Sequence, residues 1–350
     1  MKLELGKNTL RFMAVAYERD ENRKTLIPLS LRFSLRLGAV RKDLAGRVLL
    51  FNRLEPSLRF PNGNNPKIGF VHNDVTQQLK PNSEFTWRHA PALYGAIESR
   101  MLRNLDYIYT VNANTLAQYR ATYPQLRQRL EFLPTWVDDE VFLPPVESKR
   151  ELRARLRKDY GVPDDGVWIL FAGRLQQQKD PALLIQTLAA FVRTRPAGAR
   201  LVIVGEGNLR VDIERLAAEL GVAERLSIVG FLPQEELARF YQASDIFLLS
   251  SLFEGMPRAV MEAIGCGLPV VTTNVGEVGR VVVNGVTGTI VSERTAEALA
   301  AALTEALERP AEAWRAPCLA AIESYRPKSV LTTVYDRCAQ LAQRLPIPPS

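Results

Sequence analysis

The sequence is poor in the residues that build metal sites and disulfide frameworks. Its 350 residues include two histidines, His72 and His89, and three cysteines, Cys266, Cys318 and Cys338, with no metal-ligand spacing. So few cysteines, odd in number, fit reduced cytosolic thiols better than disulfides. No metal and no resident cofactor are therefore expected. No apolar run approaches the ~20 residues that span a bilayer, and no signal-peptide pattern opens the chain, so a cytoplasmic location is expected. Basic residues are plentiful but scattered, without a helix-turn-helix, zinc-finger or RNP pattern. That argues against nucleic acid as the partner.

What is present describes a globular protein, 47% hydrophobic and 24% charged. The length suits two domains of ~100–200 residues each. The net charge of +7 is unevenly shared: residues 1–150 carry 23 Lys+Arg against 15 Asp+Glu, and residues 151–350 carry 22 against 23. The first part should meet something anionic. Within it, Arg32, Arg36, Arg41, Lys42 and Arg47 lie among Leu31, Phe33 and Leu35. Such a basic-apolar segment suits peripheral contact with an anionic leaflet, and it suits a plain surface helix equally well.

From Val48 onward, short apolar runs alternate with helical stretches, the pattern of parallel sheets covered by helices on both faces. Expected strands include 48–51, 68–71, 107–111 and 130–133; expected helices include 90–105 and 114–123. Leu10 to Tyr17 also reads as a strand. Pro144, Pro145 and the charged run from Glu147 to Lys158 mark a domain boundary, giving units at 1–145 and 146–325, with a last helix within 326–350.

The stretch that organises the rest is Asp245–Thr273, DIFLLSSLFEGMPRAVMEAIGCGLPVVTT. A buried-looking strand, Ile246 to Leu249, leads into a polar turn. In that turn Gly255 is free to take a positive φ, and Pro257 suits the first position of a helix. The helix, Arg258 to Ile264, stops near Gly265 and Gly267, and a new strand follows. Glu254 precedes the helix and Glu262 lies in its second turn among Val260, Met261, Ala263 and Ile264. A half-buried carboxylate in such company needs a partner. Amides of Gly255 and Met256 would face the crevice outside the strand's carboxyl end, where open parallel sheets bind ligands.

Other strand ends carry matching chemistry. Gly173, Arg174 and Lys179 follow an apolar strand, so a close backbone approach and two cations meet at the crevice mouth. Gly205-Glu206-Gly207 is a weak glycine signal and no dinucleotide fingerprint, because the third glycine and the ribose-binding acid are out of place. His72 stands at the carboxyl end of a strand of the first domain, a position open to a functional or a structural role; His89 reads as structural.

The segment FEGMP…MEAIGCGLPVV resembles the E-x7-E signature of retaining glycosyltransferases of family 4, and GRLQQQKD at 173–180 resembles their G-R-x-x-x-x-K-D element. That resemblance implies an α/β fold of the GT-B type: two Rossmann-like domains facing a central crevice, with the C-terminal helix crossing back to the first. It also implies metal-independent transfer, with retention, from a nucleotide-diphosphate sugar to a glycan, lipid-linked or polysaccharide acceptor. Carried over, His72, Arg174, Lys179 and Glu254 form the catalytic set. Donor binding falls to Gly173, Arg174, Lys179, Gly205, Phe231, Leu232, Glu254, Gly255, Met256, Pro257 and Glu262, with Glu262 on the ribose and the backbone of Phe231 and Leu232 near the base. Two features depart from the pattern. The glycine-rich loop after the family's first strand has no counterpart, and Thr135-Trp136 replace asparagine-glycine in the strand-to-linker segment. The alternatives are a GT-B nucleotide-sugar epimerase, which would share the crevice, or, if the first strand and loop are missing, a non-catalytic nucleotide-sugar-binding module.

Overall fold

The computed structural model describes residues 2–5, 8–11, 44, 46–60, 65–72, 91–194 and 198–345. His89, the stretch from 12 to 17 and the basic-apolar segment up to residue 43 lie outside them. A short antiparallel pair, β1 (Lys2–Leu5) and β2 (Asn8–Arg11), stands apart from two parallel sheets.

The first sheet holds β3 (Leu49–Phe51), β4 (Lys67–Val71), β5 (Tyr107–Thr110) and β6 (Leu130–Phe132), side by side in chain order. Helices α1 (Pro91–Arg103) and α2 (Ala113–Thr122) connect its later strands. The run at 48–51 reads as buried in sequence, yet Leu50 is exposed because β3 forms the edge of its sheet.

The second sheet runs in the order β12 (Gly288–Val291), β11 (Val270–Thr273), β10 (Ile246–Leu249), β7 (Val167–Ala172), β8 (Ala199–Val204), β9 (Leu226–Gly230). Its neighbouring strands are parallel. All four residues of β10 are buried, as a central parallel strand requires, and side chains of this size contribute ~1.5–3 kcal/mol each on burial. Strand order reverses between β7 and β10, which makes their carboxyl ends a topological switch point, the position where such sheets bind ligands.

The charged run after Pro145 is a helix rather than a linker. In α3 (Lys149–Tyr160) Ser148 and Glu151 form a capping box, and Gly161 ends the helix at a φ of 69°. Arg153 of this helix donates to the Ala243 carbonyl and to Asp245, fastening it to the second sheet. At the other end of the chain, α10 (Pro327–Ala342) packs Val330, Val334 and Leu341 against Ile68, Phe70, Tyr107, Tyr109 and Leu133 of the first sheet. The last helix therefore crosses back, as expected. The two departures in the linker also face the other domain's elements: the Thr135 amide donates to Met256 Sδ at 3.3 Å, and Trp136 is packed beside α10.

Candidate functional site

The turn after β10 is held by its own carboxylate. Glu254 is 7% exposed, and its Oε1 accepts from Lys179 Nζ and from Ser251 Oγ, both at 2.6 Å. In sequence, Lys179 and Arg174 read as two cations at the crevice mouth, with no partner assigned to either. The fold ties Lys179 to Glu254, because a carboxylate removed from water needs a compensating charge and donors. Arg174 remains exposed. Pro257 is the N-cap of α7 (Arg258–Gly265), with φ −73° and ψ 104°, and not its first helical residue.

Glu262 lies on the buried side of α7, 8% exposed. Its Oε2 accepts from the Tyr241 hydroxyl at 3.0 Å, while Arg258 Nη2 stands 3.8 Å from Oε1. The partner expected for this carboxylate is thus Tyr241. Burial raises the Glu262 pKa above the ordinary carboxylate range, and Arg258 and the Tyr241 hydrogen bond offset only part of that.

His72 ends β4 on the opposite wall, its ring stacked with Phe70 at 6.3 Å and 17°. Desolvation, followed by the Arg258 charge, lowers its pKa from the ordinary 6.5, so the imidazole is neutral near pH 7. The walls touch here. A Cβ on Gly255 would come within 2.7 Å of the His72 carbonyl oxygen, so the absence of a side chain is what lets the turn after β10 meet the end of β4.

Gly205, at the end of β8, lies against the loop after β7. A Cβ there would overlap the Gly173 carbonyl, so the close approach it permits is between two loops of the protein. Phe231 is 76% exposed just beyond β9, with Leu232 half-buried beside it. A cavity of about 670 Å³ opens on the flank of these loops, lined in part by Gln177, Asp180, Pro181, Leu209, Leu216 and Leu252. Among the described residues, no group of three or more His, Cys, Asp or Glu is placed to hold a metal ion.

Four residues absent from the sequence reading belong to this corner: Ser251, Tyr241, Arg258 and Glu277. Two of them, Tyr241 and Glu277, act across elements far apart in the chain, so spacing carries no trace of them; Ser251 is local to the turn, three residues from Glu254. Arg258 sits in a helix's first turn, where a cation is disfavoured by the dipole and gives no recognisable motif.

Two parallel α/β domains, a switch-point crevice and a returning C-terminal helix define the GT-B fold. Residues 153–316 match the family described as Glycosyl transferases group 1. The D-inositol 3-phosphate glycosyltransferase of Xylanimonas cellulosilytica is 33% identical over 230 residues, covering 64% of this chain and 54% of that protein. The GDP-mannose-dependent alpha-(1-6)-phosphatidylinositol monomannoside mannosyltransferase of Mycolicibacterium smegmatis is 30% identical over 237 residues, covering 66% and 60%. The chain spans about half the length of the curated relatives it matches. Sucrose-phosphate synthase from Thermosynechococcus elongatus superposes with a TM-score of 0.73 at 22% identity, over 91% of this chain and 80% of that one. Anabaena HepE, solved with UDP-glucose, gives 0.68 at 18% identity over 89% and 82%.

Proposed function

We propose that the protein transfers a sugar, with retention of anomeric configuration and without a metal ion, from a nucleotide-diphosphate donor to a glycan or lipid-linked acceptor. One observation carries this reading: at the switch point, Lys179 and Ser251 hold Glu254 in the turn before α7, the buried Glu262 follows on that helix, and Gly255 of the same turn, the donor loop on this reading, lies against the His72 carbonyl. Breaking the anomeric C–O bond leaves an oxocarbenium-like sugar and a diphosphate. Arg174, Lys179 and the first amides of α7 would stabilise the charge developing on the diphosphate, and Arg258 would add a third cation. Glu262 would accept from the ribose hydroxyls, and Phe231 would meet the base. With both carboxylates so engaged, neither is free to act as a nucleophile. The acceptor hydroxyl would enter on the face the diphosphate leaves, giving up its proton to a diphosphate oxygen. Relatives named for inositol phosphate and phosphatidylinositol mannoside support an acceptor that is itself anionic.

The test is a thermal-shift screen of UDP, GDP and their sugars, followed by product analysis with the sugar nucleotide that binds. A binding ligand raises the melting temperature. A transferred glycoside of unchanged anomeric configuration is expected. Epimerised or merely hydrolysed sugar, or binding with no turnover, would overturn transfer.

A further inference from the structure

The loop after β11 joins the two walls of the crevice, and its hydrogen bond across them comes from the side chain of Glu277. Its carboxylate is almost fully buried, and Oε1 accepts from the Ala113 amide at 2.6 Å. Ala113 is the first residue of α2, in the other domain. The helix's own cap, Asn112, accepts from the Thr115 amide and leaves the Ala113 N–H without a partner inside its own domain. A carboxylate from across the crevice completes that cap, where the helix dipole also favours negative charge.

The same residue grips the donor loop. The Glu277 amide donates to the Gly255 carbonyl at 2.8 Å. Gly276, at a φ of 53°, lies so close to the donor loop that any Cβ would overlap the Gly255 and Glu254 carbonyls. Arg280 holds the second carboxylate oxygen at 2.5 Å and stacks its guanidinium 4.2 Å from the Phe132 ring centroid, again in the first domain. Gly255 is thus pinched between the His72 carbonyl on one side and the 276–277 backbone on the other.

The geometry points to Glu277 as a positioning residue that makes docking of the two domains and ordering of the donor loop one event. Separating the domains breaks the bond to Ala113, and the 276–277 backbone then loses its anchor and its hold on Gly255. The consequence for transfer rests on the glycosyltransferase reading above; the docking geometry does not.

Two variants attack the bond from opposite sides. Glu277→Ala removes the acceptor. Ala113→Pro removes the donor at a first helical position, where proline is well tolerated, and the preceding Asn112 already has the extended φ −130° and ψ 126° that proline requires. Hydrogen exchange of a peptide covering residues 251–257 reads the donor loop directly. In both variants that peptide should exchange at least about tenfold faster, the equivalent of losing one hydrogen bond to a charged group. Glu277→Gln keeps an oxygen for Ala113 and should stay within about threefold of the parent. With the sugar nucleotide found in the screen, kcat should fall in step with the exchange, and UDP or GDP affinity should hold. Unchanged exchange in Ala113→Pro, or equal loosening in Glu277→Gln and Glu277→Ala, would overturn the inference. If Glu277→Ala does not fold, Ala113→Pro decides the matter alone. A parent protein that transfers no sugar would sink the functional reading while leaving the exchange result intact.

Discussion

At the level of single residues, the site is governed by two buried carboxylates solved in different ways. Glu254 is compensated by a full charge, Lys179, and Glu262 mainly by a neutral hydroxyl, Tyr241. Replacing Lys179 with Met should destabilise the fold by about 3 kcal/mol, because Glu254 is left buried with Ser251 alone. Adding Glu254→Gln should recover much of that stability while transfer stays lost, as urea unfolding and turnover measured together would show. Glu262 sets a pH dependence. Its folded pKa is raised, so the protonated form persists to a higher pH than for an ordinary glutamate. Nucleotide affinity should therefore weaken as pH falls through that raised value, where the carboxylate is lost as an acceptor. Glu262→Gln should bind weakly throughout, by ~1.5–3 kcal/mol per charged hydrogen bond lost, with a flat profile in calorimetric titrations. A variant as tight as the parent at pH 7.5 would remove Glu262 from the ribose.

At the level of elements, function depends on how loops at the carboxyl ends of the strands are stacked on one another. Gly205 lies against Gly173, and Gly276 against Gly255. These contacts are backbone to backbone, so a methyl group has nowhere to go. Gly276→Ala combines that overlap with a left-handed φ of 53° and should cost at least ~1–2 kcal/mol. If the displaced turn holds the donor sugar as proposed, the substitution should also weaken sugar-nucleotide binding more than free nucleoside-diphosphate binding. Equal melting temperature and equal affinities in Gly276→Ala would refute this stacking. The E-x7-E spacing was legible in sequence because strand, turn and helix follow one another directly. Ties from Tyr241 to Glu262 and from Ala113 to Glu277 were not, since each joins segments brought together only by packing.

At the level of the whole molecule, the charge split and the proposed metal-independent transfer each carry a prediction. The first 150 residues carry the excess of positive charge. If it faces an anionic leaflet, each cation contributes ~1 kcal/mol near the surface and loses most of it as salt shortens the screening length. Co-sedimentation with phosphatidylserine vesicles should be strong at low salt and fade by about 0.5 M, with little binding to neutral vesicles. Equal partition to both vesicle types would leave a soluble acceptor. No described helix is long and apolar enough to cross a membrane, so any such contact made by these elements lies at the surface. Turnover should continue in EDTA, with Arg174, Lys179 and Arg258 supplying the positive charge at the diphosphate; activity lost on chelation and regained with Mg²⁺ would refute it.

The sequence by itself determined the strand–helix alternation, the glutamate pair and the glycine–arginine–lysine element. Each of these is written in neighbouring residues whose spacing fixes which face or end they occupy. Only the tertiary structure decided that Lys179 is bound to Glu254, that Gly205 admits another loop, and that Arg258 and Glu277 join the crevice. Those outcomes depend on which groups are buried together, within the second domain for Lys179 and Glu254 and between domains for Glu277 and Ala113, and that is set by the three-dimensional arrangement of distant segments, not by local spacing.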